Sequence, residues 1–475
     1  VDQYGVLFHL YYGANVGDTE ITNGLTYYDR GFSGNPAEAG AYRTYSLDVL
    51  PQEYTAEGSG DYRINGLELE MEDGSNAAYL RYESYEILPG KYSLSGMPAM
   101  FGNADEAQTL KITLCDKTSG VKVHLLYGVF PELDVITRAV QIENAGEETV
   151  KVKKVSSFVM DFQYSDMDMV HFHGRHAMEK MKERLPLAHS IHRVESKRGV
   201  SSHVENPFVM LCDSGATETS GDCYGFSLVY SGNFLFEAAM DQYDQIRCVM
   251  GIHPYHFCYA LQKGEVFESP EAVMVFSGEG FTKLSHIYHD AFRSNLIRSK
   301  YVDTSRPVLI NNWEATYFDF TADKLLEIAK EAKEIGLDLF VLDDGWFGKR
   351  DTDDSGLGDW YVNEDKIKGG LPALVKKIRG MGLKFGFWIE PEMISEDSDL
   401  YRAHPEWCLK IPNRDLVRGR NQLNLDVSRK DARDYIMDMI FEVMDACEVD
   451  YIKWDMNRSL ANVYSAAVPK ERQGE

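Results

Sequence analysis

The last third of the chain alternates short apolar runs with amphipathic helical patterns, and this alternation limits the possible folds more than any other feature. The apolar runs are "RPVLINNW", "LDLFVLDDGW", "LKFGFWIEPEM" and "VDYIKWDMN". Between the first two, "TADKLLEIAKEAKEIG" keeps apolar residues on one helical face, and Gly336 can end that helix. Strands that alternate with helices predict a parallel sheet covered on both faces, either a doubly wound sheet or a (β/α) barrel. No glycine-rich phosphate loop follows any of these strands, which disfavours a nucleotide-binding sheet.

The first 280 residues follow a different pattern, in which every second residue is apolar and the residues between are polar. In "RAVQIENAGEETVKVKKV", Val140 and Ile142 alternate with polar residues, and a turn signal and a second alternating run follow. "YGFSLVYSGNFLFEAAM" repeats this scheme. Many short strands and few helical stretches predict a large β-sandwich. The predicted domains are a β-sandwich over residues 1–280, a linker helix over 281–303 and a sheet-and-helix domain over 304–475.

The composition excludes several classes of partner. Acidic residues outnumber basic ones 75 to 49, and the resulting formal charge of −26 repels nucleic acid and anionic membrane surfaces. No run of about 18 apolar residues is present, so we expect no transmembrane helix. The first residues show neither the basic segment nor the uninterrupted apolar segment of a signal peptide. The seven cysteines include no C-x-x-C pair, and isolated thiols in a chain of this size are typical of a cytoplasmic protein.

Each predicted strand of the last third ends in polar or aromatic residues, and this recurrence marks a candidate site. The active sites of parallel α/β folds lie at the carboxyl ends of the strands, so we expect these side chains to meet. They are Asn312 and Trp313, Asp343 and Asp344, Trp388 and Glu390, and Lys453 and Asp455.

The lysine and the aspartate of the last strand lie two positions apart. Since side chains alternate between faces, Lys453 and Asp455 should project to one side and Trp454 to the other, between the sheet and the helices. The positive charge of Lys453 is expected to keep Asp455 ionised. An ionised carboxylate held in place can act as a nucleophile. The same alternation pairs Trp388 with Glu390.

Tryptophans beside pairs of acids are typical of sugar-binding sites, because an indole face packs against sugar C–H groups and carboxylates accept hydrogen bonds from hydroxyls. Two other interpretations stay open. The aspartates could cap helices or form structural ion pairs. Asp343, Glu390 and Asp455 could also hold a divalent metal ion, although no histidine accompanies them and Lys453 would repel the ion.

Several motifs resemble those of a known family. "NNWEATYFDF", "FVLDDGWFG", "LGDW", "FGFWIEPEM", "GRNQLNLD" and "YIKWDMNR" are similar, in order, to the barrel motifs of the α-galactosidases of glycoside hydrolase family 36. "SLDVLPQEY", "GDYR" and "RGVSSHVENPF" resemble the sandwich domain of that family. The resemblance implies a large N-terminal β-sandwich followed by the N-terminal part of a (β/α)8 barrel. It also implies a retaining enzyme that removes terminal α-galactose from substrates such as melibiose and raffinose, without a cofactor.

The site residues of the family map onto this sequence position by position. Asp455 corresponds to the nucleophile. Asp343 and Asp344 are expected to bind galactose hydroxyls, and Lys453 and Arg420 are expected to contact further hydroxyls and the nucleophile. Trp313 and Trp388 are expected to form walls of the pocket. Asn457, in the last motif, is also expected to bind substrate. Asp61, in "GSGDYRINGLE", matches a loop that reaches the active site of a neighbouring subunit in tetrameric relatives. A homo-oligomer, a tetramer by this resemblance, is therefore expected as well.

One departure from the family lies in "HFHGRHAMEK", where relatives tend to carry a tryptophan. This difference leaves the preferred leaving group of the substrate open. The spacing of His171, His173 and His176 is compatible with a metal site, but ordinary loop histidines are the favoured interpretation, and no metal is expected.

A retaining glycosidase also needs a second carboxylate, which acts as general acid and then as general base. In the family this residue lies on a later barrel strand, beyond "KWDMNR", so no residue of the sequence is nominated. Residues 304–475 are also fewer than the about 250 of a closed eight-stranded barrel. We therefore expect the 475 residues alone to form an open and inactive barrel. The alternative hypothesis is a noncatalytic galactoside-binding or assembly remnant.

Overall fold

The computed structural model describes residues 1–17, 19, 21, 24–29 and 31–475. They form two compact units, Val1–Val302 with Gly474–Glu475, and Asp303–Gln473.

The first unit is built from antiparallel strands. In chain order they are β1 (Leu67–Glu70), β2 (Arg81–Pro89), β3 (Gln108–Cys115), β4 (Val121–Phe130), β5 (Val135–Asn144), β6 (Val150–Phe162), β7 (Met167–Arg175), β8 (Met178–Pro186), β9 (Ile191–Glu195), β10 (Glu205–Asp213), β11 (Cys223–Val229), β12 (Phe234–Met240), β13 (Ile246–Ile252), β14 (Tyr259–Leu261), β15 (Val266–Glu268) and β16 (Glu271–Ser277). One sheet has the order β1-β6-β13-β12-β9, with β14 beside β6. The other has the order β2-β3-β4-β5-β16-β11-β10-β7-β8, with β15 beside β5.

The two sheets share a core, as their alternating pattern predicts. Phe158 of β6 stacks on Phe226 of β11, with ring centroids 5.1 Å apart. Val140 of β5 and Val155 of β6 lie in one buried cluster. The turns that follow β5 and β11 carry the chain from one sheet to the other. The predicted β-sandwich is confirmed.

The helix expected as a linker packs against the sandwich. It is α1 (Gly280–Asn295), and its buried face includes Leu284, Tyr288 and Ala291. The hydroxyl of Tyr288 donates to the carbonyl of Val273 in β16 at 2.9 Å. The helix is therefore part of the first unit rather than a free connection.

The second unit alternates strands and helices. Its elements are β17 (Leu309–Asn311), α2 (Trp313–Thr316), α3 (Ala322–Glu334), β18 (Leu339–Leu342), α4 (Gly370–Gly380), β19 (Lys384–Ile389), β20 (Met393–Ile394), α5 (Asp399–Ala403), β21 (Leu423–Asn424), α6 (Lys430–Ala446) and β22 (Tyr451–Trp454). Strands β17, β18, β19 and β22 form a parallel sheet in that order, which is the arrangement of a partial (β/α) barrel. The short strand β21 pairs antiparallel with β20 and lies outside the parallel sheet.

Local sequence explains where the helix after β17 begins and ends. The side chain of Thr321 caps α3 by accepting from the backbone amide of Lys324. The apolar face of α3 buries Leu325 and Ala329, and Gly336, with φ of +87°, follows its end as predicted. None of the described helices is both long and apolar enough to cross a membrane.

Strand β22 precedes the candidate nucleophile. In the described residues β22 pairs with β19 on one side only. Trp454, predicted to lie between the sheet and the helices, is 53% exposed, and its indole N–H donates to Glu392 at 3.0 Å. Within the described residues no strand covers the other side of β22, and Trp454 is not buried between the sheet and the helices as predicted.

Candidate active site

The carboxyl ends of the four parallel strands bring the predicted residues to one edge of the sheet. Trp313 follows the end of β17, and Asp343 directly follows β18. Glu390 directly follows β19, and Asp455 directly follows β22. Neighbouring strands of one sheet therefore supply an aromatic ring and three carboxyl groups to the same region.

Asp343 is buried, with 2% of its surface exposed, and both of its carboxylate oxygens accept hydrogen bonds. Its Oδ2 accepts from Nζ of Lys453 at 2.8 Å and from the side-chain amide of Asn311. Its Oδ1 accepts from the backbone amide of Asp344 at 2.9 Å. The structure thus corrects the partner predicted for Lys453, whose ammonium group pairs with Asp343 rather than with Asp455.

Asp344 forms a buried ion pair with Arg350. The guanidinium group of Arg350 is 1% exposed and donates to Asp344 from Nε at 3.0 Å and from Nη2 at 2.9 Å. Burial raises the pKa of the Asp344 carboxyl, and the contact with Arg350 opposes that rise. This geometry supports a structural ion pair at Asp344, one of the two roles considered for it.

Asp455 is held by neutral donors. Its Oδ2 accepts from the indole N–H of Trp388 and from the side-chain amide of Asn457, both at 2.9 Å. Its Oδ1 accepts from the backbone amide of Met456 at 3.0 Å. Because the donors are neutral and the side chain is partly exposed, the carboxylate is oriented without being neutralised.

Arg420 reaches Asp455 through Asn457. Its Nη1 donates to Oδ1 of Asn457 at 2.9 Å, while Nδ2 of Asn457 donates to Asp455. Arg420 is exposed and has a left-handed backbone, with φ of +49°. The contact with the nucleophile that the resemblance implied for Arg420 is therefore indirect.

The two predicted wall tryptophans differ in exposure. Trp313 is partly exposed and packs edge-on against Tyr317 and Phe318, with ring centroids 5.2 and 5.1 Å away. Trp388 is only 1% exposed and lies parallel to the ring of Phe347. Trp313 offers a surface to a ligand, whereas Trp388 acts on the site through its N–H bond to Asp455. The expectation of Trp388 as a pocket wall is corrected accordingly.

Glu390 lies at the same edge and is fully buried. Its carboxyl group accepts from the backbone amide of Asn457 and from the side-chain amide of Gln422, the latter at 3.1 Å. Burial, reinforced by the charges of Asp455 and Asp344, raises the pKa of Glu390 to about 7. This carboxyl group was paired with Trp388 by strand alternation but was not placed among the substrate-binding residues.

Asn311 and Arg350 complete the site, and neither was predicted. Asn311 lies two positions before Trp313, so the alternation of faces along β17 was a signal that could have found it. Arg350 lies six residues after Asp344 in a loop, and only the folded loop brings the two charges together.

Asp61 lies in the first unit, where its carboxylate is part of a buried ion-pair network. Its Oδ2 accepts from Arg247 at 2.7 Å and from Gln52 at 2.6 Å. Its Oδ1 accepts from Nε of Arg63 at 3.0 Å. These contacts account for Asp61 without a sugar ligand, and its role at the site of a neighbouring subunit stays a prediction.

The histidines of β7 contact carboxylates. Nδ1 of His171 lies 3.2 Å from Glu205, and Glu183 lies 3.6 Å from His171 and 3.5 Å from His173. The hydrogen bond with Glu205 raises the pKa of His171. Within the part of the chain that the structure describes, no group of three or more histidines, cysteines, aspartates or glutamates has the arrangement of a metal site.

The chain matches two family models. Residues 5–262 match the glycosyl hydrolase family 36 N-terminal domain, and residues 266–475 match the melibiase model.

Proteins of similar sequence agree with these matches. The bifunctional alpha-galactosidase/sucrose kinase AgaSK of Mediterraneibacter gnavus is 52% identical over 465 residues, which make up 98% of this chain and 50% of the relative. Alpha-galactosidase AgaA of Geobacillus stearothermophilus is 46% identical over 472 residues, which make up 99% of this chain and 64% of the relative. A solved structure of an AgaA variant in complex with raffinose has a TM-score of 0.97 at 45% identity, covering 100% of this chain and 66% of that structure. The chain thus spans about half to two thirds of the length of these relatives.

Proposed function

The chain belongs to glycoside hydrolase family 36, and from that membership we propose that the protein hydrolyses terminal non-reducing α-galactosyl residues, with Asp455 as the nucleophile. The relatives are named as α-galactosidases, and a variant of one of them was solved in complex with raffinose. The proposed substrates are therefore α-galactosides of the melibiose and raffinose type. The names of the relatives do not favour the alternative of a noncatalytic galactoside-binding protein.

The placement of Asp455 carries the proposal, because its carboxylate is oriented by Trp388 and Asn457 at the carboxyl edge of a parallel sheet. In a retaining mechanism, the carboxylate oxygen bonds to the anomeric carbon as the bond to the leaving-group oxygen breaks, and a general acid protonates that oxygen. Water then attacks the same carbon, the galactosyl–aspartyl bond breaks, and the group that protonated the leaving group takes a proton from the water. Galactose leaves with its original anomeric configuration. The general acid is not assigned to a residue of this chain.

Other residues at the edge are suited to hold the sugar. Trp313 offers part of its ring as a packing surface. Lys453 keeps 37% of its side chain exposed while it pairs with Asp343, so its ammonium group can donate to a hydroxyl as well. Oδ1 of Asp343 accepts one hydrogen bond, from the backbone amide of Asp344, and retains a lone pair that can accept from a hydroxyl. We assign Asp344, Arg420 and Asn457 to the support of these contacts.

The proposal extends to the setting of the protein, a homo-oligomer in the cytoplasm that uses no cofactor. All seven cysteines are free, which suits a reducing compartment. The homo-oligomer rests on the similarity of the Asp61 loop to a loop of tetrameric relatives.

Hydrolysis of p-nitrophenyl glycosides by the purified full-length protein that contains this chain tests the proposed function. We expect p-nitrophenol to be released from the α-galactoside. Its release from the β-galactoside and from the α-glucoside should be slower by roughly a hundredfold or more. NMR of the first product should show α-galactose before mutarotation, as retention requires. Cleavage of none of the three substrates, or of the β-galactoside alone, would contradict the proposal.

A further inference from the structure

We propose that Glu390 is a positioning residue that fixes the two chain segments around Asp455, an inference that rests on the proposed role of Asp455. Glu390 is fully buried directly after β19. Its Oε1 accepts from the backbone amide of Asn457, and its Oε2 accepts from Nε2 of Gln422 at 3.1 Å. Asn457 and Gln422 belong to different loops, so one carboxyl group ties both loops together.

Both loops act on Asp455. Asn457 donates its side-chain amide to Oδ2 of Asp455, and its own Oδ1 accepts from Arg420. Arg420 and Gln422 belong to one tight turn, in which Gly419 and Gln422 exchange backbone hydrogen bonds. The left-handed backbone of Arg420 is unfavourable for a residue with a side chain, so this turn needs anchoring contacts. Glu390 supplies one of them through Gln422.

The chemistry of this position favours a role for the carboxyl group. In the described residues, no lysine, arginine or histidine nitrogen lies within ion-pair distance of Glu390. An unpaired carboxylate is costly to bury, and an apolar side chain would fill the same space at lower cost. Compared with an apolar side chain, a carboxyl group at this position provides two hydrogen-bond acceptors.

The pKa of Glu390 depends on the charged groups of the candidate site. Burial, and then the charges of Asp455 and Asp344, raise its pKa to about 7. The other charges of this edge are already engaged: Arg350 pairs with Asp344, Lys453 pairs with Asp343, and Arg458 donates to the backbone carbonyl of Gln422.

Gln422 can accommodate both protonation states of Glu390. A protonated carboxyl group must donate its O–H, and Oε1 of Gln422 is buried without a hydrogen-bond partner among the described residues. Rotation of the Gln422 amide by half a turn would present this oxygen to Glu390. The link between the two loops therefore persists on either side of the titration.

Three variants of the full-length protein test this inference. Glu390→Met removes both acceptors, and we expect kcat on p-nitrophenyl α-galactoside to fall by roughly fiftyfold or more while KM changes by less than about threefold. Glu390→Gln can still accept from Asn457 and donate to a rotated Gln422, so it should keep kcat within about fivefold. Glu392→Met is the matched control, because Glu392 is partly buried nearby and contacts Trp454 instead. Its kcat should stay within about threefold of wild type.

Two outcomes with the Glu390 variants overturn the inference. One is a Glu390→Met variant with nearly wild-type kcat, and the other is a Glu390→Gln variant as slow as Glu390→Met. If Glu390→Met does not fold, Gln422→Met cuts the same link from the other side and should lower kcat by about fivefold or more. An unchanged kcat in Gln422→Met would then reject the role of Glu390.

Isotope-edited infrared spectroscopy of the Glu390 carboxyl group separates this inference from the proposed function, because it needs no turnover. We expect the carboxyl group to titrate near pH 7 in wild type and at lower pH in Asp455→Asn, which lacks the neighbouring charge. An unchanged titration in Asp455→Asn would show that Glu390 lies too far from Asp455 to fix the segments around it, and would overturn the inference even in an active α-galactosidase. A shifted titration in a protein that cleaves no galactoside would contradict the proposed function alone.

Discussion

Nζ of Lys453 donates to Oδ2 of Asp343 at 2.8 Å, and this contact joins the end of β22 to the end of β18 across the intervening strand β19. Strand alternation along β22 alone placed Lys453 beside Asp455. The folded sheet instead gives the cation to the aspartate of a more distant strand and leaves Asp455 with neutral donors. The lysine thus fixes one acid of the site while the other remains free for chemistry.

Replacing Lys453 by methionine should weaken both the fold and sugar binding. Asp343 would stay buried without its cation, and because Lys453 is partly exposed we expect a loss of about 1–2 kcal/mol in the free energy of unfolding. Galactose affinity measured by calorimetry should fall by roughly tenfold or more, since a donor to the sugar is lost. Lys330→Met, in an exposed pair with Glu334 on α3, is the control and should change neither quantity. Unchanged galactose affinity in Lys453→Met would remove this residue from the binding site.

Arg350→Met should destabilise the second unit strongly, because it leaves the Asp344 carboxylate buried and unpaired. We expect a loss of about 3–5 kcal/mol in the free energy of unfolding by urea. The double variant Arg350→Met with Asp344→Asn should recover a large part of that loss, since both charges are then absent. A double variant less stable than Arg350→Met would show that Asp344 is held by other contacts.

The raised pKa of Glu390 predicts a pH dependence of stability. The carboxyl group titrates near 7 in the folded protein and near its ordinary value of 4.5 when unfolded, so between these values the folded state binds one proton more. The stabilisation that this proton gives to the folded state is fully present below pH 4.5 and is lost as the pH rises through 7. The resulting decrease in the free energy of unfolding is at most about 3 kcal/mol. Urea unfolding of wild type and Glu390→Gln across this range should show a steeper loss of stability in wild type. Parallel curves for the two proteins would contradict the assigned pKa.

Asp61→Asn distinguishes a structural from a binding role for this residue. Arg247 would lose one carboxylate and keep Asp161, so we expect the first unit to lose about 2–3 kcal/mol of stability. Asp105→Asn, at an exposed position, should stay within about 0.5 kcal/mol of wild type. A raised KM for an α-galactoside with no loss of stability would instead support the contact with a neighbouring subunit.

Most of the fold could be predicted from the periodicity of apolar residues and from the residues at the strand ends. The alternation around Val140 and Ile142 indicated strands, and the apolar runs of the last third indicated the parallel sheet, because side-chain period follows directly from backbone geometry. The sequence did not reveal that the turn after β5 passes between sheets, because strand pairing depends on contacts distant in the chain. The exposure of Trp454 was missed for the same reason, since alternation gives a face but not the elements that cover it.

The sequence predicted most of the residues of the candidate site but fewer of the contacts between them. Asp343, Lys453 and Asp455 follow from strand ends, but the pairing of Lys453 across β19 depends on the order of strands. Arg350 comes from a loop without a periodic pattern, so no feature of the sequence connected it to Asp344. The burial of Trp388 also depends on the packing of Phe347 from another segment.

The central claim is that Asp455 forms the covalent bond to galactose. Peptide mapping by mass spectrometry of the full-length protein, after reaction with an activated fluorinated α-galactoside that slows release of the intermediate, tests it directly. We expect the added sugar mass on the peptide that contains Asp455, and no adduct in Asp455→Asn, because an amide is a far poorer nucleophile than a carboxylate. A sugar adduct on another carboxylate, or an adduct of equal yield in Asp455→Asn, would contradict the assignment.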